Sequence, residues 1–139
     1  MTRLSEMGIE PFLVSSAVDC VVAQRLARTL CQHCKRRTIL SAEVMREHGF
    51  PSMADVEAYE PVGCARCGGS GYRGRIGLYE VMSVSDEIRT LAIERASADK
   101  IAEVAVRQGM RRLQEDGLEK VRQGRTSIAE VYRVTSGGA

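Results

Sequence analysis

Cys31-Gln32-His33-Cys34 and Cys64-Ala65-Arg66-Cys67-Gly68-Gly69-Ser70-Gly71 are the two stretches on which the reading of this chain turns. Each holds two cysteines separated by two residues, a spacing that closes a tight turn with backbone N–H groups aimed at the sulfurs. Two such pairs can bring four thiolates to ~2.3 Å from one tetrahedral ion. Four sulfurs with no acidic neighbour suit zinc, with iron left open on donor chemistry alone. Sulfur fills every position, so no place remains for water or substrate and the expected role of Cys31, Cys34, Cys64 and Cys67 is structural. His33 lies inside the first pair, but the fourth sulfur makes it unnecessary as a ligand. A redox pair of thioredoxin type follows a strand at a helix N-terminus, and two pairs in so short a span argue against that reading. Cys20, among Val18, Val21 and Val22, reads as a small core residue.

The chain has 139 residues, of which 44% are hydrophobic and 27% charged, the make-up of a soluble globular protein. That length suits one domain or two small modules. Aromatics amount to 4% with no Trp, so the core must come from Val, Ile, Leu, Ala and Met. A net charge of +2 gives bulk electrostatics no argument for nucleic acid. No apolar run reaches the ~20 residues of a membrane span, which excludes direct insertion. The opening Met1-Thr2-Arg3-Leu4-Ser5-Glu6 is followed by no hydrophobic signal region. Paired cysteines without an export signal favour reduced thiolates on a metal, hence a cytoplasmic compartment.

Outside the cysteine pairs the pattern is mainly helical. Gly8 and Pro11 mark Met7–Phe12 as a loop. A helix is expected from Ser15 or Ser16 to about Leu30, with Val18, Val22 and Leu26 on one face. Between the pairs, Ser41–His48 reads as one short helix ended by Gly49. Ser52–Ala58 reads as a second, with Asp55 at its capping-box position. Neither would stand alone in water, and the flanking cysteine pairs are placed to clamp them. Arg75–Met82 reads as a strand. Helices are expected over Asp86–Glu94, Ser97–Gln108, Met110–Gln123 and Ser127–Val134, followed by a frayed tail at 136–139.

Arg25, Arg28, Lys35, Arg36 and Arg37 cluster within thirteen residues. They read either as a phosphate-contacting patch or as a solvated face, and the second is preferred. Arg73 and Arg75 lie between glycines and invite the same two readings. Glu80 reads either as a buried functional carboxylate or as an edge-strand residue facing solvent. No Gly-x-x-x-x-Gly-Lys-Ser/Thr loop is present, and no nucleophile–base pair stands out. Catalytic residues are therefore none, and cofactor-binding residues other than the metal ligands are none.

Several stretches together resemble one family. They are Met7-Gly-Ile-Glu-Pro-Phe-Leu-Val14, Val21-Val-Ala-Gln-Arg-Leu26, the cysteine quartet, Gly71-Tyr-Arg-Gly-Arg-Ile-Gly-Leu-Tyr-Glu80 and Asp116-Gly-Leu-Glu-Lys120. In order and spacing they are similar to the C-terminal part of the type II secretion and type IV pilus assembly ATPases. The resemblance implies an α+β, mostly helical fold, with a partial RecA-like edge of helix and strand, an inserted tetracysteine zinc module and a C-terminal helical bundle. The implied boundaries are 1–30 for the RecA-like remnant, 31–74 for the zinc module, 75–82 for a late RecA-like strand, 83–135 for the helical region and 136–139 for a disordered tail. It implies a hexameric motor working with inner-membrane components of a secretion or pilus apparatus, from the cytoplasmic side. ATP and Mg2+ belong to a longer parent, whose P-loop would lie upstream of Met1, so this chain alone is expected to be inactive. Either branch fits, with Tyr79-Glu80-Val81-Met82 leaning towards pilus assembly. A strand without its sheet neighbours implies an exposed apolar edge and a loosely packed or self-associating first third.

Two other readings compete. A nucleic-acid-binding zinc ribbon would use the basic cluster. A chaperone-like zinc module would use Cys64-x-x-Cys67-x-Gly69-x-Gly71, which resembles one repeat of the cysteine-rich region of J-domain co-chaperones.

Overall fold

A computed structural model describes residues 2–51 and 54–136. Helices α1 (Thr2–Glu6) and α2 (Pro11–Ala17) open the chain, followed by strands β1 (Cys20–Leu30) and β2 (Arg36–Leu40). Helix α3 (Ala42–Glu47), strand β3 (Val56–Glu60), a single 3-10 turn (Ala65–Cys67) and strand β4 (Tyr72–Ser83) come next. Helices α4 (Asp86–Ile93), α5 (Ala98–Arg107), α6 (Leu113–Arg122) and α7 (Ile128–Ser136) complete it. The fold is thus mixed helix and strand, with β1 paired to β4 and β2 paired to β3.

Several expectations fail here. The segment expected as one helix to Leu30 is helix α2 followed by the eleven-residue strand β1. Val18, Val21 and Val22 are stiff at χ1 and favour strand, and positions four apart share a face in a strand as well as in a helix. The expected loop at Met7–Phe12 ends early, because Pro11 opens α2 at a position where its missing N–H costs nothing. In place of a helix at Ser52–Ala58, Val56–Ala58 lies in β3, while Ser52 and Met53 fall outside the described residues. β3 runs antiparallel to β2 with Arg36 opposite Glu60 and Thr38 opposite Ala58. Cys20 is exposed rather than part of a core.

The chain divides into two compact units. The first comprises Met1–Ala23 and Glu80–Arg112. Its core is Val84, Ile88, Val104 and Ala105, with Val18, Met82, Leu91 and Ile101 packed against it. Ser85 and Ser97 cap α4 and α5 by accepting the N–H groups of Ile88 and Lys100, the Ser97 cap being the expected one. Arg89 on α4 donates to the carbonyls of Ser15 and Val18 and pairs with Asp19 at 3.1 Å. Glu80 pairs with Arg112 at 3.1 Å, its side chain 22% exposed.

The second unit comprises Gln24–Tyr79 and Leu113–Ala139. Its core gathers Ala27, Met45, Phe50, Ile76, Leu78, Val121 and Val131. Ser41 caps α3 by accepting the Val44 N–H at 3.2 Å. Gly117 on α6 packs so closely that an added Cβ would lie 2.6 Å from Val131. The outward face of β4 carries Arg73, Arg75 and Tyr79, while Ile76 and Leu78 point into the core, the period of two that a half-buried strand requires.

Candidate metal centre

All four predicted ligands converge. The sulfurs of Cys31, Cys34, Cys64 and Cys67 lie within 4.8 Å of one another, the one such group among the described residues. Cys31 sits where β1 ends, its N–H donating to the Gly71 carbonyl at 2.9 Å. Cys34 follows within the same turn, closed by the Lys35 N–H donating to the Cys31 carbonyl at 3.0 Å. Cys64 precedes the 3-10 turn and Cys67 ends it, with Gly68 in the left-handed region at φ +67. The loop then folds back so tightly that a Cβ on Gly63 would lie 2.6 Å from the Gly69 carbonyl oxygen.

The spacing is that of a metal site and not of disulfides. Sulfur pairs stand 3.8 Å (Cys31–Cys64), 3.9 Å (Cys34–Cys67) and 3.7 Å (Cys64–Cys67) apart. A disulfide needs ~2.05 Å. A tetrahedral zinc with sulfur at ~2.3 Å has sulfur–sulfur edges of about 3.8 Å. The residues present therefore fit a four-sulfur tetrahedral ion.

Backbone N–H groups already serve the sulfurs. Gly63 donates to Cys34 Sγ at 3.3 Å, and Cys64 and Gly71 each donate to Cys67 Sγ at 3.2 Å. Burial opposes ionisation of Cys67, but the N–H groups of Cys64 and Gly71 with the neighbouring thiols bring its pKa down to about 6. Cys31 is lowered chiefly by the His33 N–H. At Cys34 the Gly63 N–H pulls down, yet burial and three adjacent thiols push the thiol up to about 11. Four thiols this close cannot all ionise without a cation among them.

The remaining sequence candidates stay outside the sulfur cluster. His33 lines a separate cavity of about 320 Å3 beside Cys31, Arg66 and Arg73. The basic cluster is largely absorbed by structure. Arg36 pairs with Glu60 and Arg37 with Glu57 across the β2–β3 ladder, each at 2.5 Å. Lys35 donates to the Gly124 carbonyl at 3.0 Å and lies 4.3 Å from the Tyr59 ring centre. Arg25 reaches the carbonyl of the adjacent Gln24 at 3.5 Å.

Arg28 leads to a network that the sequence reading missed. The Glu130 carboxylate, 1% exposed, accepts the Arg28 backbone N–H at 2.8 Å and the guanidinium groups of Arg28 and Arg133. Burial works against its charge, but both arginines hold its pKa down at about 2. The Arg28 guanidinium lies 4.2 Å over the Tyr72 ring, whose hydroxyl is 2.7 Å from Ser127 Oγ. The available signal was Ser127-Ile128-Ala129-Glu130, a capping-box spelling. Ser127 does accept the Glu130 N–H at 3.2 Å, but the carboxylate turns to the arginines instead of back to the cap.

Residues 1–133 match the family described as type II/IV secretion system protein. The chain belongs to that family. It is 46% identical to the type IV pilus assembly ATPase PilB of Thermus thermophilus over 97% of its length, covering 15% of that relative. It is 42% identical to the protein of the same name from Acinetobacter baylyi, covering 98% of this chain and 24% of the relative. It is 40% identical to the type II secretion system protein E of Aeromonas hydrophila, covering 97% of this chain and 27% of the relative. The chain thus spans between about a seventh and a quarter of the length of these relatives. Among the described residues, no helix is long and apolar enough to cross a membrane.

Proposed function

We propose that this sequence is the zinc-braced C-terminal region of a secretion or pilus assembly motor ATPase, acting in ring assembly and partner contact. Cys31, Cys34, Cys64 and Cys67 would hold one Zn2+. Bound there, the ion supplies cross-linking and no catalysis, because four sulfurs leave no open coordination position. The observation that carries this reading is the tetrahedral spacing of the four sulfurs inside a chain whose relatives are such ATPases. ATP and Mg2+ would be handled by other parts of a longer protein of the relatives' length, with β1 and β4 joining a RecA-like domain. Hexameric assembly, a cytoplasmic position peripheral to the inner membrane and contact with inner-membrane components belong to the same proposal, as do the boundaries 31–74 for the zinc module and 83–135 for the helical region.

A nucleic-acid reading loses its main support, because Arg28, Lys35, Arg36 and Arg37 are spent on Glu130, Gly124, Glu60 and Glu57. The chaperone-like reading rests on one motif whose glycines serve the turn around Cys67. Deleting the encoding gene in its host and restoring it with either the wild-type or a Cys64→Ser/Cys67→Ser copy tests the proposal. The deletion should abolish surface pili or type II export, and the double variant should restore neither. Normal pili and export in the deletion strain would overturn it.

A further inference from the structure

The four sulfurs of the cluster are not equally protected. Cys67 Sγ accepts two backbone N–H groups, from Cys64 and Gly71, each at 3.2 Å. Cys34 Sγ accepts the Gly63 N–H at 3.3 Å. Cys31 is 3% exposed. Cys64 has neither shield. It is partly exposed beside Val62, Ala65 and Arg66, which are open to solvent, and among the described residues no N–H donates to its sulfur. The cause lies in the turn itself. The N–H groups of Cys67 and Gly69 go to the Cys64 carbonyl at 3.3 and 2.9 Å, and that of Gly68 goes to the Ala65 carbonyl. The N–H of Cys64 itself serves Cys67.

This asymmetry ranks the sulfurs once they hold a metal. All are then thiolates, so acidity no longer separates them, and access and hydrogen bonding decide which reacts. An N–H donated to a thiolate stabilises its charge and weakens it as a nucleophile. The Cys64 sulfur keeps its full strength and faces solvent. Its neighbour in the same turn, Cys67 Sγ, stands 3.7 Å away, so the two can join without moving the strand ends that carry the first pair.

We propose that Cys64 is the sulfur at which this cluster reacts with small oxidants and electrophiles, and that its oxidation by a hydroperoxide closes a Cys64–Cys67 disulfide and releases the metal. The proposal rests on the metal reading above and adds a site of modification to it. The Cys64 thiolate attacks one peroxide oxygen, forming an S–O bond as the O–O bond breaks and hydroxide leaves. Sulfur is oxidised and the peroxide is reduced, giving a sulfenic acid. The Cys67 thiolate then attacks that sulfur, forming the S–S bond and expelling a second hydroxide, and solvent protonates both. The first pair alone is left to hold the ion, and a dithiol reverses the change.

The test uses the full 139-residue chain with Cys20→Ser, which removes the exposed cysteine outside the cluster. Metal is counted first, and a reduced chain holding none would overturn the metal reading and this proposal together. On the loaded chain, brief treatment with N-ethylmaleimide followed by peptide mapping ranks the four sulfurs. Cys64 should be labelled on the order of tenfold faster than Cys67, the effect of a hydrogen bond to a charged group. Hydrogen peroxide should release the metal, read with a chromophoric chelator, in step with a Cys64–Cys67 disulfide in the peptide map. A dithiol with added zinc should restore the loaded chain. First labelling at Cys31, Cys34 or Cys67, or equal rates at all four, would leave the metal reading standing and overturn this proposal. A disulfide joining the two pairs would overturn it too, as would metal retained after Cys64 is oxidised.

Discussion

The two units solve the same problem with different means. The unit around α4 and α5 is held by two local serine caps together with a small aliphatic core and the reach of Arg89 to the α2 end. The unit around the cysteines contains two five-residue strands, β2 and β3, which as a lone hairpin would be marginal in water. It adds a buried ionic network at Glu130 and a four-sulfur cluster at the base of that hairpin. Short strands need a cross-link where capped helices do not.

The comparison breaks most severely at the cysteines. Cys64→Ser with Cys67→Ser should remove metal and abolish cooperative unfolding of the cysteine-bearing unit, since structural zinc contributes ~10–16 kcal/mol in small zinc domains. Metal analysis with near-ultraviolet thermal melts would read this, and an unchanged melt would count against a brace. Ile88→Ala, at a position with no exposure, should cost the helical unit about 2–5 kcal/mol and leave the metal content intact. A drop in metal stoichiometry for that variant would argue that the units are not held separately.

Glu130→Gln sharpens the contrast within the cysteine-bearing unit. Removing the buried charge that serves two arginines should cost about 3 kcal/mol in denaturant unfolding. Its pKa of about 2 lies below the ~4.3 of a free Glu, so its stabilisation is complete above pH ~4.3 and is lost as pH falls towards 2. The wild-type chain should lose stability across that window more steeply than the Gln variant, and parallel curves would contradict the role given to Glu130. The smallest effect is expected at Arg37, whose partner Glu57 is as exposed as it is. Arg37→Ala should change unfolding by less than about 1 kcal/mol.

The cysteine quartet was legible because its signal is chemical and local: two Cys-x-x-Cys pairs leave few alternatives. Helices α4 and α5 were legible as separate segments, α5 through the Ser97 cap and the Gly109 stop. β1 was not, because its apolar residues at Val22 and Leu26 fit both periodicities and only tertiary pairing with β4 decides between them. β3 was missed because Val56–Glu60 is too short for alternation to outweigh the neighbouring helix signals, and its partner β2 is defined by register across the ladder, which lies beyond local sequence. Glu130 was missed because its partner Arg28 lies about a hundred residues away in the chain.

Native-state hydrogen exchange, run on the chain as purified and again after a strong chelator, tests the central claim most directly. The account predicts that metal removal opens β2, β3 and the Ala65–Cys67 turn to exchange while α4 and α5 keep their protection. Exchange in those segments that is the same with and without chelator, in a chain whose cysteines are reduced, would contradict it.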